Sequence, residues 1–299
     1  MTGIRQRASR ITALMALLAL GSLAGTPAVA ANSKNCPQCA QWNQPHKPFR
    51  IYGNTYYVGT QGLSAILITS EFGHVLIDGG LQESAPLIKA NVEALGFKIT
   101  DVKGIVNSHA HYDHAGGIAQ LQQWSGAQVY ALRPAQIVLQ TGKLDRADPQ
   151  FGLKAPAIPP IADLWVVQDD QLLGIGNLRL RVTATPGHTP GGASWSWESC
   201  ADGKCLNFFY ADSLTAVSAD KYRFKDHPDL LKQFESTFQR VEKAPCDVLL
   251  TPHPDRSQLF ERLDPASGTR PADIKDATAC GRYARAAREA LASRLAEEK

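Results

Sequence analysis

Short apolar runs separated by turn residues divide most of the chain, and their periods predict alternating strands and helices. Residues 56–58, 64–69 and 73–80 read as three successive strands, with turn residues such as Gly59, Gly62 and Ser70 between them. From 84 to 95 the apolar positions recur at helical spacing, and Gly96 is a natural stop. A strand to Asn107, a helix over 118–124 and a strand over 126–131 follow. Residues 141–160 are rich in Pro, Gly and charge without a period, which predicts a loop over a site. Strands resume at 164–167, 178–185, 193–197 and 207–211, with helices over 230–241 and 278–296. This order predicts two similar halves whose sheets pack face to face, with no linker that would separate two domains.

The amino terminus departs from that pattern. Arg5, Arg7 and Arg10 precede an apolar run over 11–23, and Pro27-Ala28-Val29-Ala30 supplies small residues for cleavage. A basic head, an apolar middle and such an ending predict a secretory signal peptide over residues 1–30, with an exported, periplasmic domain over 31–299. The run is short against the roughly 20 residues of a membrane span, so no membrane attachment is expected after cleavage. Residues 1–30 hold three Arg and no acidic residue, so without them the formal charge of +3 falls to zero. A neutral chain gives no reason to expect nucleic acid or an anionic surface as partner. With no sequence argument for an oligomer, a monomer is the default.

An even number of cysteines, six, in an exported chain points to disulfides. Locality suggests Cys36–Cys39 and Cys200–Cys205, leaving Cys246–Cys280, although sequence alone permits other pairings. Cys36-Pro-Gln-Cys39 could instead be a redox or zinc pair, but it lies in a Pro-rich arm rather than at a strand–helix junction.

The candidate chemistry sits where strands end. His109-Ala110-His111-Tyr112-Asp113-His114 follows the apolar segment Gly104-Ile105-Val106-Asn107. Ligands delivered at a strand's carboxyl edge lie where α/β folds build sites. Imidazoles with one carboxylate suit zinc, and the run holds too many ligands for one ion. His188, in Thr185-Pro186-Gly187-His188, and His253, in Leu250-Thr251-Pro252-His253, also follow strands. Of the eight histidines, His109, His111, His114, His188 and His253 lie in these motifs.

With these motifs the chain resembles the metallo-β-lactamase superfamily over nearly all of residues 31–299. Tyr52-Gly53-Asn54-Thr55, Asp148-Pro149-Gln150-Phe151, Tyr210-Ala211-Asp212-Ser213-Leu214-Thr215 and Cys246-Asp247-Val248-Leu249-Leu250-Thr251-Pro252-His253-Pro254 resemble its subclass B3 zinc β-lactamases. The resemblance implies a four-layer αββα sandwich of two mixed sheets flanked by helices. It implies two Zn2+ as cofactors, one held by His109, His111 and His188, the other by Asp113, His114 and His253. It implies hydrolysis of the β-lactam amide of penicillins, cephalosporins and carbapenems by a hydroxide shared between the metals, which Asp113 orients. Ser213 and Thr215, with Gln150 from the middle loop, would bind the small-molecule substrate, and Asp78 would orient the ligands from behind.

Relatives with the same scaffold include hydroxyacylglutathione thioesterases, lactonases and nucleases. In many of them an aspartate bridges the metals, and Asp212 could be read that way. An exported lactonase, esterase or thioesterase is therefore the alternative. A zinc-binding protein without turnover would need closed four-ligand sites, and two sets of three argue against it.

Overall fold

The structure, a computed structural model, describes residues 1–3, 35–267 and 274–299. Apart from its first three residues, the expected signal peptide lies outside the described residues. A short helix α1 (Cys39–Trp42) leads into strands β1 (Phe49–Tyr52), β2 (Thr55–Tyr57), β3 (Ile66–Ile68) and β4 (His74–Ile77). Helix α2 (Ala85–Ala94), strand β5 (Val102–Val106), helices α3 (Tyr112–Ala115) and α4 (Ile118–Ser125), strand β6 (Gln128–Leu132), helix α5 (Arg133–Thr141) and strand β7 (Leu164–Val167) complete the first half. The second half holds β8 (Leu172–Ile175), β9 (Leu178–Ala184), β10 (Ala193–Ala201), β11 (Lys204–Tyr210), α6 (Pro228–Lys243), β12 (Val248–Leu250), α7 (Leu259–Leu263) and α8 (Ala279–Glu297).

β1 to β7 form one sheet in chain order, antiparallel as far as β4 and parallel from β4 to β7. The other sheet runs β12-β11-β10-β9-β8, with only the β11–β12 pair parallel. Both sheets are mixed, as expected. Strand alternation decides the layers. Ile66, Ile68, Val75 and Ile77 point inward to meet Val182, Trp195, Phe208 and Leu250 of the second sheet. Leu67 and Leu76 point outward, under Ile88 and Val92 of α2 and Ile118 and Leu121 of α4. On the far side Phe209 and Leu249 meet Phe234 and Phe238 of α6 and Ala284 and Leu291 of α8. Strands covered on both faces read as continuous apolar runs, and the stack is αββα.

Gly96, at φ +86°, closes α2 in the left-handed region that favours glycine. α5, β1, β8 and α7 were not expected from the sequence. β8 alternates exposed and buried positions over four residues, too short a run to stand out. α5 shortens the middle loop, which begins after Thr141 rather than at it.

The disulfides are Cys36–Cys39, Cys200–Cys205 and Cys246–Cys280. Cys200 and Cys205 face each other across the β10–β11 hairpin, and Cys246–Cys280 ties the approach to β12 to the first turn of α8. Cys36 and Cys39 are buried with Leu63 and Leu81. Among the described residues no helix is long and apolar enough to cross a membrane.

The two sheets meet at their strand ends. Trp195 Nε1 donates to the Asn107 carbonyl (3.0 Å), Ala193 N to the Ser108 carbonyl (2.7 Å) and Ser64 N to the Pro252 carbonyl (2.8 Å). These bonds tie the segment after β5 to the start of β10, and the segment after β12 to the approach to β3.

Candidate metal centre

The chain leaves β5 at Val106 and places His109 and His111 before the single turn of α3, which carries Asp113 and His114. His188 follows β9 and His253 follows β12. Gly187 precedes His188 at φ +145°, and a Cβ there would come within 2.7 Å of the Phe234 ring, so the turn needs glycine. His109, His111 and His188 stand edge to face with ring centroids 4.8–5.0 Å apart. His114 lies 4.4 Å from His109 and 4.9 Å from His253, centroid to centroid.

Ligand atoms of His109, His111 and His188 lie within 4.8 Å of one another, and so do those of His109, Asp113 and His114. Asp113 Oδ2 lies 3.2 Å from His114 Nε2 and 3.3 Å from His253 Nε2. Both ring nitrogens of His114 are buried and hydrogen-bonded to nothing. Buried polar atoms are almost always satisfied, so orphaned nitrogens beside a carboxylate are what a metal ion would satisfy. The donor set fits such ions: neutral imidazoles and one carboxylate.

Four of the imidazoles are fixed from behind. His109 Nδ1 lies 2.7 Å from Asp212 Oδ1, and His111 Nε2 lies 3.0 Å from Asp148 Oδ2. His188 Nδ1 donates to the Thr215 carbonyl (2.8 Å) and His253 Nδ1 to the Gly62 carbonyl (3.1 Å). Each bond leaves the other ring nitrogen free for a metal and sets the ring's orientation.

Without a metal the cluster is electrostatically costly. Burial, then the neighbouring imidazoles, hold His109 well below its usual pKa, and burial with His111 takes His188 down to about 3. For His253 burial works downward, but the hydrogen bond and charge of Asp113 outweigh it and raise the value. Burial alone would raise Asp113, yet His114 and His253 hold it well below the carboxylate range.

Asp78 ends β4 at φ +62°, a left-handed conformation uncommon outside glycine. Its carboxylate accepts bonds from Asn107 Nδ2 (3.1 Å), Ser108 N (2.7 Å), Ser108 Oγ (2.7 Å) and Tyr210 OH (2.8 Å). It thus grips the backbone next to His109, and none of these bonds comes from an imidazole. Burial pushes its carboxyl up.

A cavity of about 810 Å³ opens above the cluster, lined by His111, Asp113, His188 and His253 together with Trp42, Gln150, Ser213, Thr215 and Tyr283. A larger cleft of about 1000 Å³, along β8 to β11, contains none of these imidazoles. The motif chemistry, not the volume, identifies the site.

The segment matching the family model of the metallo-β-lactamase superfamily is residues 58–200. Rm3 metallo-β-lactamase is 48% identical, with 88% of this chain covering 98% of that one at a TM-score of 0.84. The chain belongs to the metallo-β-lactamase superfamily. MEM-A1, a subclass B3 metallo-β-lactamase from a soil metagenome library, is 43% identical, covers 85% of this chain and 97% of its own, and has a TM-score of 0.82. Such neighbours place the chain in subclass B3. Among curated proteins, the hydroxyacylglutathione hydrolase of Rhodopseudomonas palustris strain HaA2 is 32% identical over 162 residues. The chain spans about half the length of the curated relatives it matches, 52% for that one.

Within this candidate site the expected residues have distinct places. Ser213, Thr215 and Gln150 all line the cavity. The Thr215 hydroxyl lies 3.2 Å from His188 Nδ1, so it already has a protein partner. Asp212 is behind His109, and in neither ligand group found among the described residues. Burial pushes its carboxyl well above the usual range. Sequence reasoning missed Asp148, Trp42 and Tyr283. Asp148 stood in a stretch already singled out, but nothing local shows that its carboxylate turns back toward His111.

Proposed function

We propose that this protein is an exported zinc β-lactamase that opens the lactam ring of penicillins, cephalosporins and carbapenems. The observation that carries the reading is the convergence of five imidazoles and Asp113, of which His111, His188, His253 and Asp113 line one cavity, with both buried His114 nitrogens left without a hydrogen bond. Subclass B3 neighbours that match over nearly their whole length support it. His109, His111 and His188 would hold one zinc, and Asp113, His114 and His253 the other. When bound, the ions supply Lewis acidity and a water acidic enough to ionise near neutral pH.

The chain's own residues position the reactants. Asp212, Asp148 and the carbonyls of Thr215 and Gly62 hold four imidazoles in the orientation the ions need. Asp113, kept ionised and facing the cavity, accepts a hydrogen bond from the attacking water and orients it. Ser213 and Gln150 offer a hydroxyl and an amide to the substrate carboxylate from two walls of the cavity. Thr215 contributes there only by sharing the hydroxyl that now leans on His188. Residues 1–30 would be removed on export, leaving a monomeric periplasmic enzyme of residues 31–299.

The test is carbapenem hydrolysis by purified protein, followed by ring-opening absorbance before chelation, after it and with zinc restored. Turnover that disappears and returns with zinc is expected. Two bound zincs without lactam turnover, but with hydrolysis of a glutathione thioester or a lactone, would instead favour the reading to which the curated hydroxyacylglutathione hydrolases point.

A further inference from the structure

The middle loop between α5 and β7 carries Gln150 and Leu153 to the wall of the cavity. Asp148 lies on that loop yet is only 3% exposed, whereas Phe151 is 46% exposed. A buried carboxylate on a surface loop is costly unless its oxygens are bonded, and here both are. Oδ2 lies 3.0 Å from His111 Nε2, and Oδ1 accepts the Gln150 N–H at 2.8 Å. The Phe151 N–H closes onto the Asp148 carbonyl (2.9 Å), and the Pro149 carbonyl accepts from Ala219 N (2.9 Å), beyond Thr215.

We propose that Asp148 is a positioning residue that couples the loop over the cavity to the metal-facing side of His111. The inference rests on the reading that His111 holds a metal ion. With its Nε2–H given to a carboxylate, His111 turns the Nδ1 lone pair to the ion and binds it as a more basic ligand. The same carboxylate holds the backbone of Gln150. An ion that fixes His111 therefore also fixes Asp148, and with it the wall that meets substrate. A loop anchor with a merely structural role would disturb the loop and leave the metal alone.

The experiment compares wild-type protein with Asp148→Asn and Asp148→Glu, using zinc alone against a competing chelator, then KM and kcat on a carbapenem. Asp148→Asn should weaken one of the two zincs by about 10–100-fold and raise KM while both zincs are kept saturated. Asp148→Glu, which keeps the charge, should recover part of both effects. Hydrogen exchange of wild-type protein gives a reading independent of any variant's folding: the Gln150 and Phe151 amides should exchange more slowly with zinc than without. Wild-type zinc affinity in Asp148→Asn, or exchange that ignores zinc, overturns the proposal while leaving the site's zinc chemistry intact. Wild-type protein that takes up no zinc overturns the reading of the site as well.

Discussion

Asp212 Oδ1 lies 2.7 Å from His109 Nδ1, with both side chains almost wholly buried. The carboxylate therefore stands on the side of the ring turned away from His111 and His188's shared cluster, where it orients an imidazole. Tyr283, from α8, donates to the Asp212 carbonyl at 3.2 Å and steadies it from the other direction. Asp212→Ala should lower zinc affinity about 10–100-fold, whereas Asp212→Asn, which can still accept from Nδ1 but without the charge, should weaken it less and still load two ions when zinc is in excess. Metal analysis after dialysis checks this. Loss of an ion in Asp212→Asn even in excess zinc would instead make Asp212 a direct ligand, as in the thioesterase reading.

The metal-free protein should lose stability in mild acid. His109 is well below its usual pKa and His188 is at about 3, so in the folded chain they refuse protons that the unfolded chain binds below about 6.5. Their contribution is present near neutral pH and shrinks as pH falls through that window. Asp113, also depressed, adds a loss below about 3.8. His253 has the opposite sign: its raised pKa stabilises below about 6.5 and fades as pH rises through the folded value. Asp212 and Asp78, whose carboxyls burial raises, share the sign of His253, while His74, lowered by burial, joins His109 and His188. His109 and His188 would take up charge inside a buried cluster of like imidazoles, so their loss should prevail and Tm of the chelated protein should drop between pH 7 and pH 5. A rise over that interval would refute the balance.

Ser213 lines the cavity beside His188 and His253. If its hydroxyl bonds a substrate carboxylate, its loss removes a hydrogen bond to a charged group, about 1.5–3 kcal/mol. Ser213→Ala should then raise KM roughly tenfold or more, with both zincs retained and kcat little changed. Steady-state kinetics with metal analysis decides it. An unchanged KM would leave Ser213 a strand-end hydroxyl without a part in binding.

Much of this was legible in the chain because the ligands cluster in sequence. His109 to His114 occupy one strand end and one turn, and His188 and His253 each follow an apolar strand. What was not legible is what stands behind each ring. The Gly62 carbonyl reaches His253 across 191 positions and Asp212 reaches His109 across 103. Backbone carbonyls carry no side-chain signature, and a carboxylate's direction is set by tertiary packing. Thr215 shows the limit most clearly, since the family pattern assigns its hydroxyl to substrate while its carbonyl and hydroxyl both approach His188. The short elements β1 and β8 were hidden for another reason: four residues give too few periods to distinguish strand from turn.

The Cys246–Cys280 bridge should matter for stability rather than chemistry. It spans 34 positions, and both sulfurs are buried in the cluster that joins α6, α8 and β12. In the chain-entropy account a loop of that length restricts the unfolded state by about 3–4 kcal/mol. The bridge also pins the first turn of α8, three residues before Tyr283, whose hydroxyl holds the Asp212 carbonyl. Folded protein keeps that contact through the packing of Phe234 and Phe238 against Ala284 and Leu291, which does not need the bridge. Cys246→Ala with Cys280→Ala should therefore lower Tm by roughly 6–16 °C, from about 2–4 °C per kcal/mol for a domain near this size. Zinc stoichiometry at 25 °C should stay at the wild-type value. A calorimetric scan and metal analysis test the two halves separately: unchanged Tm would contradict the entropic role, and lost zinc would show that the helix needs the bridge to support the site.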